Sequence, residues 1–214
     1  MVFGKIEYLN LLPFHIFMKR FTRSSQQKMS MHYKRGVPAK INREFQARRV
    51  DAAFISSVGA RGYKHIALGI IAKKEVLSVL VIPNSQNLSD SESATSNKLA
   101  KILGVQGEVC IGDKALRYYL QNKPHIDLAK EWNERYNLPF VFALFCHHSK
   151  NPIYKKIEKK FLHSKVKIPY YILKDAEIRT KVDAKEIKNY LSYISYDFDK
   201  KAQMGLKKFY SFTK

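Results

Sequence analysis

The predicted fold rests on two stretches, Ser93-Ala-Thr-Ser-Asn-Lys-Leu-Ala-Lys-Ile-Leu-Gly104 and, two residues later, Gly107-Glu-Val-Cys-Ile-Gly-Asp-Lys-Ala-Leu116. In the first, small hydroxylated residues precede leucine and isoleucine at helical spacing, and a glycine ends the helix. In the second, a short apolar strand runs into a Gly-Asp turn that starts another helix at Lys114. Two strand–turn–helix units bring two helix starts to one carboxyl edge, where ligands of open α/β sheets bind. The stretches therefore predict an α/β fold with a ligand site at this edge.

Hydroxyl groups are concentrated at the start of the first of these helices, at Ser93, Thr95 and Ser96. The first backbone N–H groups of a helix lack partners within it, and the helix dipole makes this end attractive to an anion. The same residue types also act as ordinary N-caps, which need no ligand. This stretch alone leaves both interpretations open.

The N-terminal region predicts a βαβαβ unit with parallel strands and right-handed crossovers. Its predicted elements are a strand at Lys5–Leu9, a helix from Pro13 to Arg20, a strand at Met29–Tyr33, a helix at Ala39–Arg49 and a strand at Val50–Ser57. In the second helix, Ile41, Phe45 and Ala47 are expected to face inward. Asn10, Ser56 and Ser57 follow or end strands, so we expect them at the carboxyl edge.

Two long β-rich passages suggest that the chain crosses between two lobes. Ile66–Pro83 is too long for one ordinary strand, and Leu138–Cys146 is long enough for a return crossing. The predicted lobes are 1–80 with 148–214, and 81–147, with hinge crossings near 75–82 and 140–147. The remaining predicted helices are Ile126–Tyr136, Pro152–Leu162, Asp183–Ile194 and a terminal helix through Phe209.

Composition limits the expected partners. The chain has 214 residues, 45% of them hydrophobic, and a formal net charge of +21. Its lysines are scattered and do not alternate with aromatic residues in a recognition module, so we expect no specific nucleic-acid partner. No stretch of about 20 apolar residues is present, which predicts no membrane span. The N-terminus lacks a signal-peptide pattern, so the sequence predicts a cytoplasmic protein.

The cysteines and histidines do not suggest a metal site. Cys110 and Cys146 each lie in an apolar, strand-like run, which is typical of buried, reduced thiols. His147 and His148 are adjacent, and neighbouring residues of a strand point to opposite faces. We therefore expect no metal ion at either pair.

Several blocks, in order along nearly the whole chain, resemble the chorismate dehydratases of the futalosine route to menaquinone. These blocks are Gly4–Pro13, Val50–Ser57, Glu75–Val79, Ser93–Ser96, Ile111–Leu116 and Asp127–Trp132 with Leu138–Ala143, followed by Leu191–Tyr193 and Gly205–Phe209. The chain departs from that family in being shorter between the Ser93 helix and the Val109 strand, and in having Lys74 where a glycine is common.

The resemblance implies a two-lobed fold like that of type II periplasmic solute-binding proteins, with the ligand between the lobes. It implies a lyase that removes water from chorismate, a dicarboxylate, to give 3-enolpyruvyl benzoate without a metal or organic cofactor. The implied catalytic residues are Asn10 and Asp113, and the implied substrate-binding residues are Ser56, Ser57, Ser78, Ser93, Thr95, Ser96 and Gly112. The alternative is a cytosolic solute-binding-like protein that holds a small carboxylate anion without turnover. The oligomeric state is not predicted.

Asp113 is the only carboxylate in these motifs, and its role has several interpretations. It could be a base, a residue that orients the substrate, or the N-cap of the following helix. A helix start is expected to lower its pKa and make it a weak base. A substrate carboxylate is therefore the favoured proton acceptor, with the amide of Asn10 orienting the substrate or its leaving hydroxyl. Tyr8 could belong either to the site or to the core.

Overall fold

The computed structural model describes residues 1–22 and 31–213, which form two β-sheets surrounded by helices. The larger sheet has the strand order β2-β1-β3-β8-β4-β9, and the smaller has the order β6-β5-β7. The strands are β1 Val2–Lys5, β2 His32–Arg35, β3 Ala52–Ser56, β4 Lys64–Ala72, β5 Val79–Ile82, β6 Glu108–Ile111, β7 Ile126–Asp127, β8 Phe140–His147 and β9 Ile194–Asp197.

Ten α-helices are present in the described part of the chain, together with a 3-10 turn at Leu9–Leu11. The helices are α1 Leu12–Phe21, α2 Pro38–Gln46, α3 Ser57–Ala60, α4 Ala94–Leu103, α5 Gly112–Leu120, α6 Leu128–Tyr136, α7 Ile153–Leu162, α8 Tyr170–Thr180, α9 Ala184–Ser192 and α10 Lys200–Ser211.

The predicted parallel βαβαβ unit is confirmed, because β1 pairs in parallel with both β2 and β3. Its predicted bounds were less accurate. The first strand ends at Lys5, and Leu9 instead opens a 3-10 turn in which the N–H of Leu11 donates to the carbonyl of Tyr8. Both leucines of this turn are buried, so the apolar pattern there reflects a turn that packs into the core.

Three further N-terminal bounds differ from the predictions. The second strand is His32–Arg35 rather than Met29–Tyr33, whose residues 29 and 30 lie outside the described part of the chain. Helix α2 ends at Gln46 because Arg48 takes a left-handed backbone conformation, and Ala47 is exposed rather than inward-facing. Strand β3 ends at Ser56, and the next residue begins α3.

The passage predicted to cross between lobes does connect the two sheets. Strand β4 belongs to the larger sheet and β5 to the smaller. Between them, the buried carboxylate of Asp127 accepts hydrogen bonds from the N–H groups of Val76 and Leu77, at 2.9 and 2.7 Å. The return crossing was predicted near 140–147, but these residues form β8, which pairs along its length with β3 and β4 in the larger sheet. We therefore propose that the second crossing lies at residues 137–139, just before β8; the lobe boundaries themselves remain a prediction.

The smaller sheet is antiparallel, which changes how the two helix starts come together. Strand β5 runs antiparallel to β6, so Val79 at its start lies opposite Ile111 at the end of β6. The chain between β5 and α4 then turns back, with Leu88 forming a parallel bridge to Glu108. The starts of α4 and α5 thus meet at one edge without the two parallel strand–helix units that the sequence predicted.

Some elements of the C-terminal region escaped prediction. Helix α8 was missed because Tyr170, Tyr171 and Ile178 are exposed, which obscures its amphipathic pattern. Strand β9 was missed because Ile194 was assigned to the preceding helix, which ends at Ser192. Of the predicted helix Ile126–Tyr136, the first two residues form β7 instead. The predicted helices corresponding to α7, α9 and α10 are present.

Three expectations from the sequence can be compared with the described residues. Cys110 and Cys146 are buried and unpaired by disulfides. Among residues 1–22 and 31–213, no helix is both long and apolar enough to cross a membrane. The same residues contain no group of three or more histidine, cysteine or acidic side chains arranged to hold a metal ion.

Candidate active site

One cavity between the two sheets contains most of the site residues predicted from the sequence. Six of the nine line it: Asn10, Ser56, Ser78, Ser93, Ser96 and Gly112. Its other walls are mainly apolar and include Ile6, Phe54, Ile70 and Phe142. Ser57, Thr95 and Asp113 are not among the lining residues, although each is adjacent in sequence to one that is.

Asn10 brings an unused polar atom to the cavity. Its side-chain oxygen is buried and has no hydrogen-bond partner among residues 1–22 and 31–213. Its backbone is held in the 3-10 turn by the hydroxyl of Tyr196, which donates to the Asn10 carbonyl at 2.7 Å. Burial of Tyr196 raises the pKa of its phenol, so this donor stays protonated. A buried amide atom without a partner at a cavity wall is a candidate ligand contact.

Ser93 and Ser96 form a short hydrogen-bond relay at the start of α4. The hydroxyl oxygen of Ser93 accepts from the backbone N–H of Ser96 at 3.1 Å, which confirms the N-cap interpretation for Ser93. The Ser93 hydroxyl donates to the hydroxyl oxygen of Ser96 at 2.8 Å. The Ser96 proton is therefore available to a ligand. Capping and ligand binding are compatible here, because they use different atoms.

Ser56 and Ser78 enter the cavity from opposite sheets, and each is held by a polar side chain behind it. Ser56 ends β3 and contacts the side-chain amide of Asn42 on α2. Ser78 lies just before β5, and its hydroxyl is 2.8 Å from that of Tyr190 on α9. Burial raises the pKa of Tyr190, which therefore remains a neutral hydrogen-bonding partner.

The structure gives Thr95 and Ser57 contacts with the backbone instead of the cavity. Thr95 accepts a hydrogen bond from the N–H of Val58 at 3.0 Å and so joins the start of α4 to the start of α3. The hydroxyl of Ser57 donates to the carbonyl of Val141 in β8. Both hydroxyl groups are almost fully buried. Their predicted contacts with substrate remain predictions without support from the cavity lining.

Asp113 differs from the prediction in both its contacts and its pKa. It lies in the first turn of α5 but is not the N-cap, which is Ile111. Its carboxylate accepts from the N–H of Leu9 at 3.0 Å and from the guanidinium of Arg179 at 3.1 Å. Burial raises the pKa of Asp113, and this outweighs the lowering by those two donors, so the expected lowered pKa was wrong.

Tyr8 lines the cavity and also connects the two halves of the site. Its hydroxyl donates to the carboxylate of Glu92 in the loop before α4. Burial, and then the nearby Glu92 carboxylate, raise the pKa of Tyr8. The ring packs on Gly112, where an added Cβ would lie 2.8 Å from a ring carbon, and where φ is +69°. Gly112 is thus required both by its backbone conformation and by the Tyr8 ring.

Four residues around this site were not singled out from the sequence: Asn42, Glu92, Tyr190 and Tyr196. Two of them lie more than 100 residues from their partners, and none belongs to a recognisable motif. Asn42 interrupts the apolar face of a predicted helix, and this polar residue was the only sequence feature that could have pointed to any of the four. It could not identify Ser56 as the partner.

The chain is similar in sequence to one protein family and to a named relative. A family model described as menaquinone biosynthesis matches residues 1–107 and 104–214. A Campylobacter jejuni protein named chorismate dehydratase is 47% identical over 213 residues, which is 98% of this chain and 96% of that protein.

Solved structures support the fold alone, because their sequence identity is low. A protein from Archaeoglobus fulgidus has a TM-score of 0.67 at 12% identity, covering 99% of this chain and 96% of that one. A Candida albicans protein described as having the generic periplasmic binding protein fold has a TM-score of 0.51 at 12% identity, covering 99% and 90%. The predicted two-lobed α/β fold of the periplasmic-binding-protein type is therefore confirmed. With the family model spanning its length and a relative at 47% identity, the chain belongs to the menaquinone biosynthesis family.

Proposed function

We propose that this protein removes water from chorismate to give 3-enolpyruvyl benzoate, as a step of menaquinone biosynthesis. The observation that carries the proposal is the 47% identity, over 98% of the chain, to a protein named chorismate dehydratase. The cavity adds chemical support, because it offers uncharged hydrogen-bonding groups from both sheets to a ligand that has two carboxylates.

The reaction breaks one C–H bond and one C–O bond on two neighbouring carbons of the cyclohexadiene ring, and the ring itself stays intact. A proton leaves the carbon that bears the enolpyruvyl ether, and the hydroxyl leaves the neighbouring carbon. The electron pair of the C–H bond becomes the new ring double bond, and the proton and hydroxide together make one water. Because the product ring is aromatic, the reaction is driven forward without a strong acid from the protein. The protein has to orient the substrate, provide a proton acceptor and stabilise the departing oxygen.

The proton acceptor in this proposal is a carboxylate of the substrate itself. Among the described residues that line the cavity, none is an aspartate or glutamate. Asp113 lies outside the lining, and its oxygens accept from Leu9 and Arg179. Asn10 would orient the substrate or its leaving hydroxyl, and Ser93, Ser96, Ser56 and Ser78 would hold the carboxylates. Apolar walls exclude water and so strengthen these fixed dipoles.

The remaining partners follow from this activity. The substrate is a small dicarboxylate, and the positive net charge of the chain favours its approach. We place the protein in the cytoplasm, in keeping with a biosynthetic role, and assign it no specific nucleic-acid partner. Any binding to nucleic acid should fall steeply as salt is raised.

Incubation of the purified protein with chorismate tests the proposal. We expect an aromatic product with the mass of chorismate less one water, detected by ultraviolet absorbance and mass spectrometry. A heat-denatured sample is the control for spontaneous breakdown. Binding of chorismate without an aromatic product would favour the solute-binding alternative and would refute the enzyme assignment.

A further inference from the structure

The side chain of Asn42 makes two hydrogen bonds to a single residue, Ser56. Its Oδ1 accepts from the backbone N–H of Ser56 at 3.2 Å, and its Nδ2 donates to the Ser56 hydroxyl oxygen at 2.7 Å. The first bond determines the orientation of the amide, because only the oxygen can accept from an N–H group. The NH₂ group must then face the serine hydroxyl.

This arrangement determines the direction in which Ser56 can donate. Its oxygen already accepts a hydrogen bond from the amide of Asn42, and among residues 1–22 and 31–213 no group accepts a hydrogen bond from the Ser56 hydroxyl. Ser56 stands at the N-cap position of α3 but makes no capping bond, since the N–H of Val58 donates to Thr95 instead. The Ser56 hydroxyl therefore has a proton that it can donate to a ligand, and Ser56 lines the cavity.

We propose that Asn42 is a positioning residue that makes the Ser56 hydroxyl a dedicated donor to a carboxylate of the substrate. The inference rests on the proposed function, because it assumes a dicarboxylate ligand in this cavity. Asn42 itself does not line the cavity and acts only through Ser56. A carboxylate has only acceptor atoms, so a serine that already accepts one hydrogen bond and whose proton is free is well matched to it.

Replacement by aspartate tests the direction of the hydrogen bond at nearly constant shape. In Asn42→Asp, one carboxylate oxygen still accepts from the Ser56 N–H, but the other has no proton to donate. The Ser56 hydroxyl then turns and donates to Asp, and is lost to the ligand. In Asn42→Ala both bonds disappear, but the hydroxyl stays free to donate to the substrate. We therefore expect ligand affinity in the order unmodified protein, then Asn42→Ala, then Asn42→Asp.

A purely structural role predicts the reverse order, because alanine loses more contacts than aspartate. The probe is 3-enolpyruvyl benzoate, which carries both carboxylates and is not consumed, titrated by calorimetry. We expect Asn42→Asp to weaken its binding by about 10- to 100-fold, the size of one charge-assisted hydrogen bond. Thermal unfolding of each variant shows whether it is folded.

A double-mutant cycle with Ser56→Ala separates action through Ser56 from direct effects of the new charge. In the Ser56→Ala background, Asn42→Asp and Asn42→Ala should each weaken binding by much less than in the unmodified protein. If Asn42→Asp does not fold, the cycle with Asn42→Ala gives the same comparison. Additive losses, or a weaker affinity for Asn42→Ala than for Asn42→Asp, would overturn the inference.

The outcome is independent of the turnover assay. Protein that binds the probe with the expected coupling but produces nothing from chorismate would contradict the proposed function and support the role of Asn42. Protein that turns over chorismate but shows additive losses would support the function and contradict the role. An unmodified protein without measurable affinity for the probe would overturn the inference, whatever its turnover.

Discussion

The cavity and the seam beside it, where Ser57, Thr95 and Asp113 bond to the backbone, are built from the same short motifs, but their polar atoms have different partners. In three places one residue lines the cavity and its neighbour bonds to the backbone or across the seam: Ser56 and Ser57, Ser96 and Thr95, Gly112 and Asp113. Successive side chains of a strand or helix point in different directions, so adjacent residues face different surroundings. A motif near a cleft therefore has both ligand-facing and structural members.

Unused hydrogen-bonding capacity distinguishes the two regions. Among the described residues, the amide oxygen of Asn10 has no donor. The hydroxyl protons of Ser56 and Ser96 have no acceptor there. In the seam, the oxygens of Asp113 and Thr95 accept from backbone N–H groups. Substitutions in the cavity should therefore affect turnover or affinity, and substitutions in the seam should affect stability.

Asn10→Ala is the substitution with the largest expected effect. Loss of the orienting amide should lower kcat by about 100-fold or more, the cost of removing one hydrogen bond to a developing charge. The melting temperature should change little, because the amide oxygen has no partner to lose. Initial rates of aromatic product formation measure the first effect, with calorimetry of thermal unfolding as the control. Full activity in this variant would remove Asn10 from the mechanism.

Asp113→Asn and Asp113→Ala separate a base from a seam residue. Asparagine can still accept from the N–H of Leu9, so we expect turnover within about tenfold of the unmodified protein and a free energy of unfolding within about 1 kcal/mol. Alanine leaves that buried N–H unpaired, which should lower the free energy of unfolding by about 1–3 kcal/mol. Denaturant unfolding and initial rates provide both measurements. Abolished turnover with intact substrate binding in Asp113→Asn would identify Asp113 as the base.

Thr95→Ala and Ser96→Ala give the finest comparison, because the two residues are adjacent. Thr95→Ala should lower the free energy of unfolding by about 1 kcal/mol, because the N–H of Val58 loses its acceptor, and should leave substrate affinity nearly unchanged. Thr95→Ser retains the oxygen and is the matched control. Ser96→Ala should weaken affinity by about tenfold at nearly constant stability. An equal loss of affinity in Thr95→Ala would return Thr95 to the ligand-binding group, as the sequence predicted.

The sequence by itself was sufficient for the features that depend on local pattern. Helical spacing and a terminal glycine predicted α4, and alternating strands and helices predicted the parallel β1–β3 unit. Local signals placed Asn10 at the end of a strand and Ser93 at the start of a helix, each at a carboxyl edge, and both residues line the cavity. These predictions succeeded because capping and hydrophobic periodicity are decided within a few turns of chain.

Only the tertiary structure decided which polar atoms are occupied and which are free. The backbone carbonyl of Asn10 accepts from Tyr196, 186 residues away, while its side-chain oxygen has no partner among the described residues, and the hydroxyl of Ser78 bonds to Tyr190, 112 residues away. The pKa of Asp113 rises rather than falls because burial outweighs the donors around it, and burial is a property of the packed molecule. A sequence specifies which hydrogen-bonding groups a segment carries. Whether each group is already satisfied depends on chain segments that only folding brings together.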